Sequence, residues 1–287
     1  MRFDVDGHSI DYEVRGEGRA IVLLHGLTTD RRLLIEACEP VLGEGSGLRR
    51  IYLDLPGLGV STGNPERAAA DSLVEALASL VREIAGERPL LLGYAYGAYL
   101  AQGIAGAVDL GGLCLVCPVV EADFGKRSTT PRHVVVRDPD LPFSDDPRER
   151  EAFTEVAVRQ TQVVLERFQR AVHPANIVAD VGFVTAVRCF YALARPYMQA
   201  LHTFDRPAAI VCGRHDHWVG FEDAVRLARA LRGASFTVAA DCGQLLPIEA
   251  PELLHGVLRE WLARIEATAA DSQSRSPRNS NPSIPEI

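Results

Sequence analysis

A doubly wound α/β sheet, mostly parallel, flanked by helices and carrying an inserted helical segment, is the fold this sequence predicts. Two observations predict it. Short continuous apolar runs, typical of strands buried on both faces, alternate with stretches of helical periodicity, as in a parallel sheet with helical crossovers. The alternation then breaks between residues 119 and 206, where strand patterns give way to two long helical ones.

The elements follow in order. Patterns at about 2–6 and 9–15 read as a hairpin. Ala20–Leu24 is the first buried strand and ends in His25-Gly26. Arg50–Leu53, Leu90–Gly93, Leu113–Cys117, Ala208–Cys212 and Phe236–Ala239 follow as further strands. Helical patterns lie at about 30–41, 66–85, 97–107, 222–232 and 251–265. Inside the break, a proline- and charge-rich lead (Pro131–Pro147) precedes helices expected over Pro147–Val172 and Ile177–Leu201. In the second, Phe183, Val187, Phe190, Tyr191 and Ala194 share one face. A core face is the default reading of such a stripe, and a cap helix can also line a site. The division predicted is a core of 1–118 and 207–267, a helical cap of 119–206, and a tail of 268–287. That tail is polar and rich in Ser, Pro and Asn, so it cannot bury enough apolar area to offset chain entropy and is expected to be disordered.

Composition narrows the function. A chain that is 47% hydrophobic supports a sizeable core, and a net charge of −8 without a basic cluster argues against nucleic-acid binding. No apolar run is long enough to span a bilayer, and residues 1–7 lack the basic flank and apolar core of a signal peptide. A cytoplasmic protein is expected. Cys114 and Cys117 form a C-x-x-C, but within the apolar run Leu113–Val120, where burial on a strand explains them better than zinc or redox chemistry. With no metal spacing and no nucleotide loop, no cofactor is expected.

The chemistry-bearing pattern is a strand, then Gly93-Tyr94-Ala95-Tyr96-Gly97, then a helix. The glycines permit a tight strand-to-helix turn that thrusts the central side chain into a pocket. Free N–H groups and the helix dipole favour negative charge there. The segment resembles the nucleophile elbow, G-x-S-x-G, of the α/β-hydrolase superfamily, with Ala95 where that family has serine. Other segments resemble the family in the same order: His25-Gly26-Leu27 its oxyanion loop, Asp54-Leu55-Pro56-Gly57-Leu58-Gly59 its D-x-P-G-x-G loop, and Gly213 to Val219 the turn bearing its acid. Asp241 to Pro247, before Pro251-Glu252, looks like the segment bearing its histidine, with Gln244 at that position. The resemblance spans about residues 8–265 and is specific as a set. It implies that Ala95, Asp216 and Gln244 occupy the triad positions and that the N–H groups of Leu27 and Tyr96 form an oxyanion hole. His25, Gly26, Tyr94 and His217 are placed around the pocket, His25 chiefly as support for the oxyanion loop.

Competing candidates are weaker. Gly59-Val60-Ser61-Thr62-Gly63 matches G-x-S-x-G literally, but it follows a loop, and Asn64-Pro65 delays the next helix. Ser61 is read as a turn or cap residue. His215 and His217 flank Asp216 as loop histidines, and Cys242 has no adjacent base to lower its pKa.

A methyl group cannot attack a carbonyl, and an amide can hydrogen-bond Asp216 but cannot take up a proton near pH 7. Losing serine or histidine costs roughly a millionfold in turnover, so serine-type hydrolysis is not expected. Three readings stay open. One is a non-hydrolytic enzyme that uses the oxyanion pocket for an elimination, cyclisation or rearrangement. Another is a small-molecule-binding pseudoenzyme. The last is an engineered inactive form of a serine ester or acyl hydrolase, with both residues substituted. Each implies a small-molecule ligand under the cap.

Overall fold

The computed structural model of the chain describes residues 1–194, 197 and 201–274. Strands β1 (Arg2–Val5) and β2 (His8–Arg15) form the antiparallel hairpin. Its turn residues Asp6 and Gly7 have φ of 50° and 79°, the left-handed backbone that a two-residue hairpin loop requires. Next come β3 (Arg19–Leu24), α1 (Arg31–Leu42), β4 (Leu48–Leu53), α2 (Ala70–Ile84), β5 (Leu90–Tyr94), α3 (Tyr96–Ala105) and β6 (Gly112–Val116). An insertion then carries β7 (Val136–Arg137), α4 (Pro147–Val156), β8 (Arg159–Gln160), α5 (Gln162–Ala171), α6 (His173–Val178) and α7 (Val181–Cys189). The chain returns through β9 (Ala208–Gly213), α8 (Glu222–Ala230), β10 (Ala234–Ala239), α9 (Leu246–Glu249) and α10 (Pro251–Ser274).

The main sheet has the order β1-β2-β4-β3-β5-β6-β9-β10. Only β2 runs against the rest: it pairs antiparallel with β1 and with β4, and every pairing from β4 to β10 is parallel. The apolar runs have the predicted cause. Val22 and Leu24 of β3 pack with Leu73 and Leu77 of α2 and Leu100 of α3 on one face. Ile21 and Leu23 pack with Leu33 and Leu34 of α1 and Trp261 of α10 on the other. Such full burial contributes roughly 1.5–3 kcal/mol per large side chain.

The insertion departs from expectation. The helix expected over Pro147–Val172 is interrupted after Val156, and β8 pairs with β7 in a two-residue parallel ladder before Thr161 caps α5. Pairs this short carry no readable periodicity. The helix expected over Ile177–Leu201 is broken: Ile177 and Val178 end α6, α7 starts after Asp180, whose side chain accepts from the Phe183 N–H, and stops at Cys189, and residues 195, 196 and 198–200 of that span lie outside the described residues. Its aromatic stripe therefore splits. Phe183 and Val187 are core, Phe190 is exposed and Tyr191 turns inward. At the other end, α10 continues to Ser274, past the predicted start of the tail at residue 268. The rest of that tail, 275–287, lies outside the described residues. No helix among the described residues is long and apolar enough to cross a membrane.

Candidate active site

Since β5 ends at Tyr94 and α3 begins at Tyr96, Ala95 alone reverses the chain. It does so at φ 52° and ψ −113°, a conformation that costs a non-glycine residue about 1–3 kcal/mol. The surroundings hold it there. The Ala95 N–H donates to the Val116 carbonyl at 2.9 Å, and the Ala95 carbonyl accepts from the N–H groups of Tyr99 and Val119 at 3.1 and 3.3 Å. Glycine at 97 is required by close approach, because a Cβ would lie 2.3 Å from the main-chain oxygens of Leu24 and His25.

Ala95 opens onto a cavity of about 340 Å³, also lined by Leu27, Tyr94, Tyr96 and Gln244. That volume suits a small ligand. Among the described residues, neither the Leu27 nor the Tyr96 main-chain N–H has a protein acceptor. Both are free to serve an oxygen in the cavity.

Asp216 lies on the loop after β9 and is fully buried. Its Oδ1 accepts from the N–H groups of Trp218 (2.9 Å) and Val219 (3.0 Å). Burial pushes its pKa up to about 7, against the pull of these N–H groups. Gln244 faces it. With its nitrogen turned toward the carboxylate, the orientation that satisfies both groups, the amide donates to Oδ2 at 2.5 Å and Oδ1 at 3.1 Å. The Tyr94 hydroxyl donates to the Gln244 main-chain oxygen at 3.0 Å. The loop thus ties Gln244 to the elbow from one side and to the acid from the other.

Three pocket assignments, His25, His217 and Gly26, are corrected. His25 is fully buried and does not line the cavity. Its Nε2 accepts from the Leu55 N–H at 2.9 Å, so the ring proton sits on Nδ1, which donates to the Gly26 carbonyl at 2.8 Å. Burial lowers its pKa, and the neutral ring is fully used in pinning the loop. His217 also lies off the cavity, with Nε2 donating to the Glu155 carbonyl at 3.0 Å. Gly26 packs behind the turn, where a Cβ would come within 3.1 Å of Ala95 Cβ and of the Tyr94 ring. The His215 ring packs on His133, centroids 4.9 Å apart. Ser61 is buried in the loop, donating to the Asp54 carbonyl and accepting from the Asp11 N–H, a turn role as expected.

Sequence reasoning missed Glu249. Its buried carboxylate accepts from the N–H groups of Val158 (2.7 Å), Arg159 (3.1 Å) and Gly243 (2.7 Å). It fixes the residue preceding Gln244 and binds that loop to the insertion. A glutamate beside a helix start gives no hint of this in sequence. Arg127 and Tyr191 also line the cavity, brought there by loops without periodicity.

The sheet order, the strand–turn–helix at Ala95 and the acid after β9 together define an α/β-hydrolase architecture. The model of the alpha/beta hydrolase family matches residues 21–257, and the chain belongs to that family. Among solved structures it is similar to an alpha/beta superfamily hydrolase from Oenococcus oeni, at 26% identity and TM-score 0.83, covering 93% of this chain and 99% of that one. A thermophilic esterase from Thermogutta terrifontis aligns at 24% identity and TM-score 0.68 (92% and 99% covered). A bromoperoxidase from Bacillus anthracis aligns at 19% identity and TM-score 0.70 (89% and 96% covered). No curated protein matches the chain in sequence.

Proposed function

We propose that this protein binds a small carbonyl compound in the cavity beneath a cap formed by the insertion. It polarises the carbonyl oxygen with the N–H groups of Leu27 and Tyr96 and carries out a non-hydrolytic step, such as an elimination, cyclisation or rearrangement. The carrying observation is the pairing of two features. The turn at Ala95 keeps its left-handed backbone although a methyl group stands where a nucleophile would be aimed, and Gln244 takes the hydrogen bonds of Asp216 that an imidazole would otherwise take. On this reading the two working parts of a serine hydrolase are replaced and the electrostatic part is kept. Preorganised donors of that kind are often the largest single contribution to acyl chemistry. The family's frequent hydrolytic activity does not by itself argue against this, since one fold hosts many chemistries.

The test has two arms. Hydrolysis of p-nitrophenyl acetate and labelling by a fluorophosphonate are compared between the natural chain and the Ala95→Ser, Gln244→His double variant. Only the double variant is expected to turn over and be labelled, whereas rapid ester turnover by the natural chain would sink the reading. The second arm follows deuterium exchange α to the carbonyl of a ketone. Slow exchange is expected, and it should be lost in Gly26→Ala, which crowds the turn.

A further inference from the structure

The cavity carries polar groups that the proposed carbonyl chemistry does not use. Arg127 reaches it from the loop after β6. Its Nε donates to the Glu121 carbonyl at 2.9 Å and its Nη1 to the Trp218 carbonyl at 3.3 Å. The guanidinium lies over the Phe124 ring, 3.9 Å from its centroid, and 5.5 Å from that of Tyr191. Nη2 is buried and makes no hydrogen bond. The Tyr191 hydroxyl feels the Arg127 charge and a side-chain hydrogen bond from its guanidinium, yet Nη2 itself keeps no partner in good hydrogen-bond geometry. The Tyr96 hydroxyl is likewise buried without a partner, and its ring packs on Tyr191 with centroids 4.7 Å apart. Two orphaned donors therefore flank one ring in one cavity. An unsatisfied buried donor is costly, more so on a cation, and an anionic acceptor would satisfy both. Arg188 also lines the cavity, and its charge reaches Tyr191. Glu155 is the single acidic residue in the same lining, so the balance there is cationic.

We infer that the ligand is a carbonyl compound bearing a carboxylate. Its acid group pairs with Arg127 Nη2 and the Tyr96 hydroxyl, while its carbonyl oxygen sits on the Leu27 and Tyr96 N–H groups. This rests on the reading of the cavity proposed above and names its substrate class. Tyr96 presents both ends, its N–H at the turn and its hydroxyl at the far end of the side chain. The carbonyl and carboxylate are thus separated by no more than one tyrosine length, which selects a short keto acid or acyl acid. The remaining lining, with Phe168, Val172 and Val119, accommodates an apolar body.

The probes are 4-oxo-4-phenylbutanoate and its neutral counterpart 1-phenylbutan-1-one, titrated calorimetrically into the natural chain. The acid is expected to bind at least about tenfold tighter, as one charge-assisted hydrogen-bonded pair would give, and to weaken with added salt while the ketone does not. Arg127→Met should bring the acid down to the affinity of the ketone, Arg127→Lys should recover part of the difference, and Tyr96→Phe should weaken the acid alone. Equal affinity for acid and ketone in the natural chain overturns the inference and leaves the cavity reading standing. So does parallel weakening of both by Arg127→Met, which would mark Arg127 as packing only. Binding of neither probe overturns the cavity reading and this inference with it. If Arg127→Met does not fold, the acid–ketone comparison and the salt series decide alone.

Discussion

The Gln244 amide and the Asp216 carboxylate form a buried two-point contact, nitrogen to Oδ2 at 2.5 Å and to Oδ1 at 3.1 Å. The two residues are brought together by the loops after β9 and β10, adjacent strands at one edge of the sheet. Gln244 is a neutral donor and gives the acid less than an imidazolium would.

Restoring the missing parts should therefore work only as a pair. Ala95→Ser alone lacks a base and Gln244→His alone lacks a nucleophile. Each single variant is expected to reach at most about a hundredth of the double variant's ester hydrolysis, because such groups act as a unit. The double variant's rate should rise with pH through the range where histidine deprotonates, near about 6.5. A pH–rate series on all three variants checks both points. Equal activity in Ala95→Ser alone would show that another base serves the turn.

Ala95 sits at φ 52°, so Ala95→Gly should relieve strain. The gain is about 1 kcal/mol, net of the greater entropy of the unfolded glycine. Gly97→Ala should do the opposite and cost several times as much, roughly 3 kcal/mol or more, since its methyl has no room beside the Leu24 and His25 carbonyls. Urea denaturation of the two variants gives the sign directly.

Glu249→Ala removes the acceptor of three main-chain N–H groups. Leaving buried donors unsatisfied costs about 1–3 kcal/mol each, so a loss of roughly 3–9 kcal/mol is expected, and ligand affinity should fall because the loop carrying Gln244 is released. Glu249→Gln should fall between Ala and the natural residue, since its amide oxygen still accepts while its nitrogen meets donors. A destabilisation under about 1 kcal/mol for Glu249→Ala would show that the N–H groups find other acceptors.

Asp216 has its pKa raised from 3.8 to about 7 by burial. Between those values the folded protein holds a proton that the unfolded chain has released. The contribution of this group to stability therefore falls as pH rises through that window and levels off above it. Asp216→Asn keeps an acceptor for the Trp218 and Val219 N–H groups but does not titrate. The stability difference between the natural chain and this variant should shift against the natural chain from about pH 4.5 to about pH 7.5, by a few kcal/mol at most. Denaturation at several pH values measures it. A flat difference would mean that Asp216 is ionised throughout.

Much of the fold was legible in the sequence because its causes are local. A strand buried on both faces must be apolar throughout, as Ile21–Leu24 is, and a tight strand-to-helix turn must have glycine where backbones touch, as at Gly97. The resemblance of successive segments to the family's motifs is what pointed to Ala95, Asp216 and Gln244 as one group. The insertion was not legible to the same degree, since helix ends there depend on single caps such as Asp180 and Thr161 and on a two-residue strand pair.

What only the tertiary structure decided is which polar groups are already used. Residue type cannot show that both nitrogens of His25 are bonded to main chain, or that His217 turns away toward Glu155. Nor can it show that Glu249 holds the loop before Gln244, or that Arg127 Nη2 and the Tyr96 hydroxyl are left over in the cavity. Sequence specifies the donors and acceptors a residue owns. Which of them are satisfied depends on partners up to hundreds of positions away, and the pairing exists only once the chain has closed around them.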